Sequence, residues 1–206
     1  MKNVLCFGDS NTWGFIPGTE MERYAREERW PGILEGLLGA DYHLIEEALC
    51  GRTTAFDDPL FPDRNGATHL PMLLDSHAPL DLVIIMLGTN DLKHYFGFNA
   101  HDIALGAAFL VDLVQQRAPG VPVLLVAPPA AVETPTPFGH KFDGAIDVST
   151  GLGAAYAKVA EERGVPCFDA ASVLICPPDD GVHMDAANHR ALAEALVAPV
   201  KTLLPD

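Results

Sequence analysis

Short apolar runs alternate with longer stretches in which apolar residues return every three or four positions. The runs at residues 4–7, 43–49, 82–87, 123–127 and 165–168 are rich in Val, Ile and Leu and too short for helices, so they are predicted strands. Helical periodicity occupies residues 30–38, 70–76, 102–117, 152–163 and 186–204. Within 102–117, Ile103, Ala107, Leu110 and Val114 share one face, and Pro119-Gly120 stops the helix. Pro199 is expected to kink or end the last helix. Strands alternating with crossovers of this length predict an α/β fold, a three-layer α/β/α sandwich on a five-stranded parallel sheet, with the unbroken apolar run at 82–87 near its centre. No internal repeat divides the chain, and residues 1–206 are read as a single domain. Residues 16–28 and 128–147 fit neither period. Long connections in a compact domain tend to serve function, so both are candidates for shaping a substrate entrance.

Composition narrows the classes of partner. With 49% hydrophobic residues, 206 residues can bury a sizeable core without disulfides or metal. Thirteen basic against 28 acidic residues leave a net charge of -15, which repels phosphate backbones and anionic membranes, so neither nucleic acid nor membrane is an expected partner. The first ten residues hold one Lys and a short apolar run ending in Gly-Asp-Ser, which lacks the h-region of a signal peptide, and the longest uncharged apolar stretch is too short for a bilayer. The expected location is the cytoplasm. The four cysteines show no CxxC spacing, so no cofactor, metal or disulfide framework is expected.

In open α/β sheets ligands bind beyond the carboxyl ends of the strands. Four polar segments fall there: Gly8-Asp9-Ser10 after the first strand, Cys50-Gly51-Arg52 after the second, Gly88-Thr89-Asn90-Asp91 after the third, and Asp180-Gly181-Val182-His183 before the last helix. Serine ester hydrolysis needs a nucleophile, a base, a carboxylate that orients the base, and donors for the developing oxyanion. Ser10 can be the nucleophile, with Gly8 permitting a tight turn. His183 and Asp180 are close enough within one turn for base and orienting acid. Gly51, lacking a Cβ, can bring its N–H close to a carbonyl, and Asn90 offers a side-chain amide. Taken singly, each has a plainer reading: a turn, a surface histidine, a strand-end glycine, an Asx turn. Their order along one sheet edge is what makes them chemistry.

Those four blocks resemble the motifs of SGNH (GDSL-type) hydrolases over essentially the whole chain, with Asn11 standing where the name-giving motif has Leu. The resemblance implies a flavodoxin-like α/β/α fold, the triad Ser10, Asp180 and His183, and an oxyanion hole of the Ser10 and Gly51 N–H groups and the Asn90 side chain. Asn11, Trp13 and Thr89, beside those residues, are the candidate substrate contacts. The stretches Cys6 to Gly14, Gly51-Arg52-Thr53-Thr54, Asp57-Asp58-Pro59 and Asn65-Gly66-Ala67 are similar to the arylesterase and acyltransferase branch. That similarity implies a short-chain acyl ester substrate, acyl transfer to alcohols or peroxide, and a homo-oligomer in which Trp13, Phe15, Phe96 and Phe98 help to exclude water.

Two other classes compete. Asp179, Asp180, His183, Asp185 and His189 lie close in sequence and could hold a divalent metal in a metallohydrolase, though HExxH is absent. A non-catalytic binding module is the other, since fold alone proves no activity. Within the serine-esterase reading, a carbohydrate acetylesterase is the alternative. An α/β-hydrolase is disfavoured by the absence of GxSxG.

Overall fold

The computed structural model describes residues 1–205. Its elements run β1 (Lys2–Gly8), α1 (Ser10–Trp13), α2 (Trp30–Leu38), β2 (Tyr42–Ala48), α3 (Gly66–Ser76), β3 (Leu82–Met86), α4 (Ala100–Arg117), β4 (Val123–Ala127), α5 (Ala145–Ser149), α6 (Leu152–Glu162), β5 (Cys167–Asp169) and α7 (Ala186–Leu203). All strand pairings are parallel, in the order β2-β1-β3-β4-β5. The five-stranded α/β/α sandwich expected from the sequence is present.

Alternation along the strands divides the core in two. Leu5 and Phe7 of β1 join Val83, Ile85 and Leu125 against α3, α4 and α6, while Val4 and Cys6 join Ile84, Met86 and Val126 against α2 and α7. β3 is buried along its whole length because both faces are covered. Trp30, fully buried at the start of α2, belongs to the second cluster. Its truncation to Ala would cost about 3–5 kcal/mol.

Local chemistry corrects three boundaries. α3 begins at Gly66, four residues before its expected start, because the Asn65 side chain accepts the Ala67 N–H at 2.9 Å and caps a turn poor in helix formers. α7 does not end at Pro199: it runs on to Leu203, since Leu196 and Val200 on either side of the proline are fully buried and their packing outweighs one missing hydrogen bond. Residues 128–147, unassigned from the sequence, contain a 3₁₀ turn at Pro137–Phe142 and the start of α5. Among the described residues no helix is long and apolar enough to cross a membrane.

From β1 the chain passes to β2 on one side and later to β3 on the other. The carboxyl ends of β1 and β3 therefore flank the switch point, where a crevice opens. The segments carrying Ser10 and Asn90 leave the sheet there.

Candidate active site

Ser10 opens the short helix α1 directly after β1, with Asp9 capping it by accepting the Asn11 N–H at 2.9 Å. Gly8 is required for close approach rather than for a special backbone angle: a Cβ there would lie 2.0 Å from Thr12 Oγ1 of that helix. Ser10 is 5% exposed, and its hydroxyl lies 2.9 Å from His183 Nε2. His183 Nδ1 lies 2.8 Å from Asp180 Oδ2. The same carboxylate accepts the N–H groups of Val182 (3.2 Å), His183 (3.0 Å) and Gly18 (3.2 Å). Burial works to raise the pKa of Asp180, but the hydrogen bonds and charge of His183, with the two loop N–H groups, outweigh it and hold the carboxyl below its ordinary value. Asp180 is therefore a fixed anion that sets the tautomer of His183 with Nδ1 protonated and Nε2 free to accept. The Phe15 ring stacks on the imidazole at 4.3 Å.

Neither Asn11 nor Trp13 lines the cavity beside Ser10. Asn11 is 1% exposed, its Nδ2 donating to the Val182 carbonyl and its Oδ1 accepting the Met184 N–H, both at 3.0 Å. Bonded at both polar ends to the residues flanking His183, it ties the base loop to the turn of Ser10. Trp13 is turned away under the Arg23 guanidinium, 4.7 Å from its ring, and Arg23 Nε donates to its carbonyl at 2.7 Å. Thr89 does line the cavity beside Ser10, and its buried hydroxyl has no partner among the described residues.

Gly51 adopts φ +86°, a left-handed conformation that favours glycine, and a Cβ there would meet the Phe61 ring at 2.6 Å. Asn90 donates through Nδ2 to the Arg52 carbonyl at 3.1 Å, and its contact with Asp9 Oδ2 is long, at 3.5 Å. One amide hydrogen is thus committed and the other only weakly held, which leaves it for an oxygen entering the cavity. The two loops are tied together by Asp91, whose carboxylate accepts the Thr54 N–H at 3.1 Å and the Thr54 hydroxyl at 2.5 Å. Arg52 reinforces the edge by donating to the carbonyls of Gly8 (2.8 Å) and Glu47 (2.6 Å).

Ser10, Gly51, Asn90 and His183 all face one cavity of about 260 Å³. Its remaining walls are mostly apolar, with Phe15, Met21, Phe61, Phe138, Phe142 and Val182 prominent. Of the unassigned stretches, 16–28 supplies Met21 and 128–147 supplies Phe138 and Phe142. Phe61 escaped the sequence reading, although an aromatic among Asp and Pro in a loop was a signal of something packed. The acid-rich stretch near His183 is dispersed: Asp185 caps α7 by accepting the Asn188 N–H at 2.8 Å, and among the described residues no group of three or more His, Cys, Asp or Glu could hold a metal ion.

A hydroxyl within reach of an imidazole, beside a small, mostly apolar cavity that Gly51 and Asn90 also line, is suited to attack on a carboxylic ester carbonyl. That chemistry and this sheet define the class as an ester hydrolase. The chain belongs to the GDSL-like lipase/acylhydrolase family, whose model matches residues 6–191. It is similar to the aryl esterase of M. smegmatis, with 46% identity and a TM-score of 0.94 covering 98% of this chain and 100% of that one. A carbohydrate acetylesterase from Sinorhizobium meliloti matches with 43% identity and a TM-score of 0.94 over 98% of this chain and 100% of that one. An arylesterase of Vibrio mimicus is 28% identical over 191 residues, 88% of this chain and 80% of the relative. The protein is a carboxylic ester hydrolase of the arylesterase type.

Proposed function

We propose that this enzyme hydrolyses short-chain, acetyl-type esters through an acyl-enzyme on Ser10. The observation that carries this reading is the row Asp180–His183–Ser10, with contacts of 2.8 and 2.9 Å, ending in an apolar cavity of about 260 Å³. In the first half of the cycle His183 Nε2 takes the Ser10 proton as Oγ bonds to the ester carbonyl carbon. The oxyanion meets the N–H groups of Ser10 and Gly51 and the Asn90 hydrogen that Asp9 holds only weakly. The tetrahedral intermediate then collapses, the alcohol leaves with the proton from His183, and water repeats the sequence to release the acid. Ser10→Ala is expected to lose at least ~10³-fold in kcat while staying folded, and a sulfonyl fluoride to label Ser10. Near-full activity in the variant would remove the mechanism.

Acyl transfer to an alcohol or peroxide follows where the acyl-enzyme is shielded from water, and the aromatic walls Phe15, Phe61 and Phe138 support it. A homo-oligomer is part of the same proposal: Leu105 (44% exposed) and Phe109 (48%) border an apolar groove with Phe56 and Phe98 that a second copy would cover. A monomer by light scattering, giving only acid from a vinyl ester in dilute alcohol, would leave a plain esterase. Acetylated sugars are the second substrate reading, favoured by the similarity to the Sinorhizobium meliloti acetylesterase.

A further inference from the structure

The loop after Gly51 is docked by a device that the reaction itself does not use. The Asp58 side chain is fully buried, and it accepts the Leu60 N–H at 2.9 Å, the Phe61 N–H at 3.0 Å, the Tyr95 hydroxyl at 2.9 Å and the Lys93 ammonium at 2.7 Å. Lys93 and Tyr95 follow Asn90 closely, so this one carboxylate fastens the 57–63 loop to the segment that carries the amide donor. A carboxylate out of water persists only with such a set of donors, and it holds their geometry rigidly in return.

What the clamp presents is Phe61. Its ring lies so close over Gly51 that a Cβ there would be 2.6 Å away, and the Arg64 guanidinium covers it at 3.8 Å while Arg64 Nε donates to the Cys50 carbonyl at 2.9 Å. Phe61 is 42% exposed, yet it is held from the loop backbone, from the guanidinium and from Gly51. It therefore forms a fixed rim where the cavity passes the carbonyl-binding edge. Its neighbour Leu60 shares the Asp58 anchor through its N–H but is 72% exposed.

We infer that Phe61 is a specificity-determining residue, limiting the length of the ester chain that leaves the carbonyl on the Gly51 side, with Asp58 as the positioning residue that holds it there. The inference rests on the reading of Ser10 as nucleophile. Each methylene newly given apolar surface is worth roughly fourfold in binding, so opening this wall favours longer chains over acetyl-sized ones.

The test compares two ester series on the full-length enzyme: acyl chains from acetyl to hexanoyl on one leaving group, and alcohols of rising length on acetate. Phe61→Ala is expected to raise the ratio of kcat/KM for the four-carbon over the two-carbon member by roughly tenfold in one series and not in the other. Phe61→Trp is expected to lower the same ratio, which keeps the test open if the Ala variant folds poorly. Asp58→Asn is expected to move that series in the Ala direction by a smaller factor, whereas a loss of stability alone would scale all members equally. Ratios unmoved in both series, or moved equally in both, would overturn the assignment. Turnover surviving Ser10→Ala would overturn the nucleophile and this inference together; turnover lost there with unmoved ratios would overturn this inference alone.

Discussion

The loop of His183 and the first turns of α7 lie six residues apart, and each holds a buried imidazole. His183 is 5% exposed and has a polar partner on both ring nitrogens, Asp180 and Ser10. His189 is fully buried, accepts the Trp30 N–H at 3.3 Å through Nδ1, and leaves Nε2 without a partner among the described residues. Burial, with Arg29 and His183 adding positive charge nearby, lowers its pKa to about 3, so it stays neutral as a packing group against α2. Residue type and burial are alike in the two regions. What separates a candidate base from a core side chain is whether a carboxylate faces one nitrogen while the other opens on a hydroxyl and a cavity.

The strongest break of this contrast is to take away the carboxylate. Asp180→Asn should lower kcat by about 10³- to 10⁴-fold, through loss of the anion that holds and charges His183, whereas Asp179→Asn, exposed and outside the row, should stay near wild type. Steady-state kinetics on a chromogenic acetate checks both, and the reverse ranking would mean that Asp180 is not the partner of the base.

A smaller effect asks whether the preorganised side extends past the imidazole to Asn90. Asn90→Ala should reduce kcat by about 10²-fold with KM nearly unchanged, since its weakly held hydrogen is best used once charge develops on the carbonyl oxygen. A change confined to KM would make Asn90 a ground-state contact.

The smallest effect belongs to His189 and is read in stability rather than turnover. The unfolded chain protonates this histidine near pH 6.5 while the fold resists down to about 3, so stability is lost as pH falls through that window, by about 1.4 kcal/mol per unit. Asp9 and Asp91 work the other way. Burial raises their pKa to about 6 and about 7, so the fold takes their protons before the unfolded chain does and gains stability as pH falls toward 4. Because both remain in His189→Gln, the difference between variant and wild type isolates the histidine. Urea unfolding at pH 7.5 and pH 5 should show the wild type losing about 2 kcal/mol more than the variant, with activity at pH 7.5 retained. Parallel losses would mean that His189 is protonated in the fold.

Much of the molecule is legible in its amino-acid sequence. Apolar runs with no polar interruption, such as 82–87, must be covered on both faces, and that demand alone calls for a parallel sheet between helical layers. Ser10, Gly51, Asn90 and His183 were legible because strand ends at a switch point leave only a few positions where polar residues can converge. Helix ends were less so, since caps such as Asn65 and a tolerated Pro199 depend on hydrogen bonds and packing that propensity does not report.

The linear chain determined which residues could do chemistry and on which edge they would meet, because period and strand order follow from local sterics and burial. Tertiary structure alone decided how each was used. Asn11 sits next to the nucleophile and reads as a pocket residue, yet both ends of its amide are taken by the loop of His183, 171 to 173 positions away. Phe61 reads as a loop residue, yet Asp58 and Lys93, 35 positions apart, make it a wall of the cavity. A hydrogen bond or a ring contact is set by distances of a few ångströms between segments far apart along the chain, and only the folded packing brings those segments together.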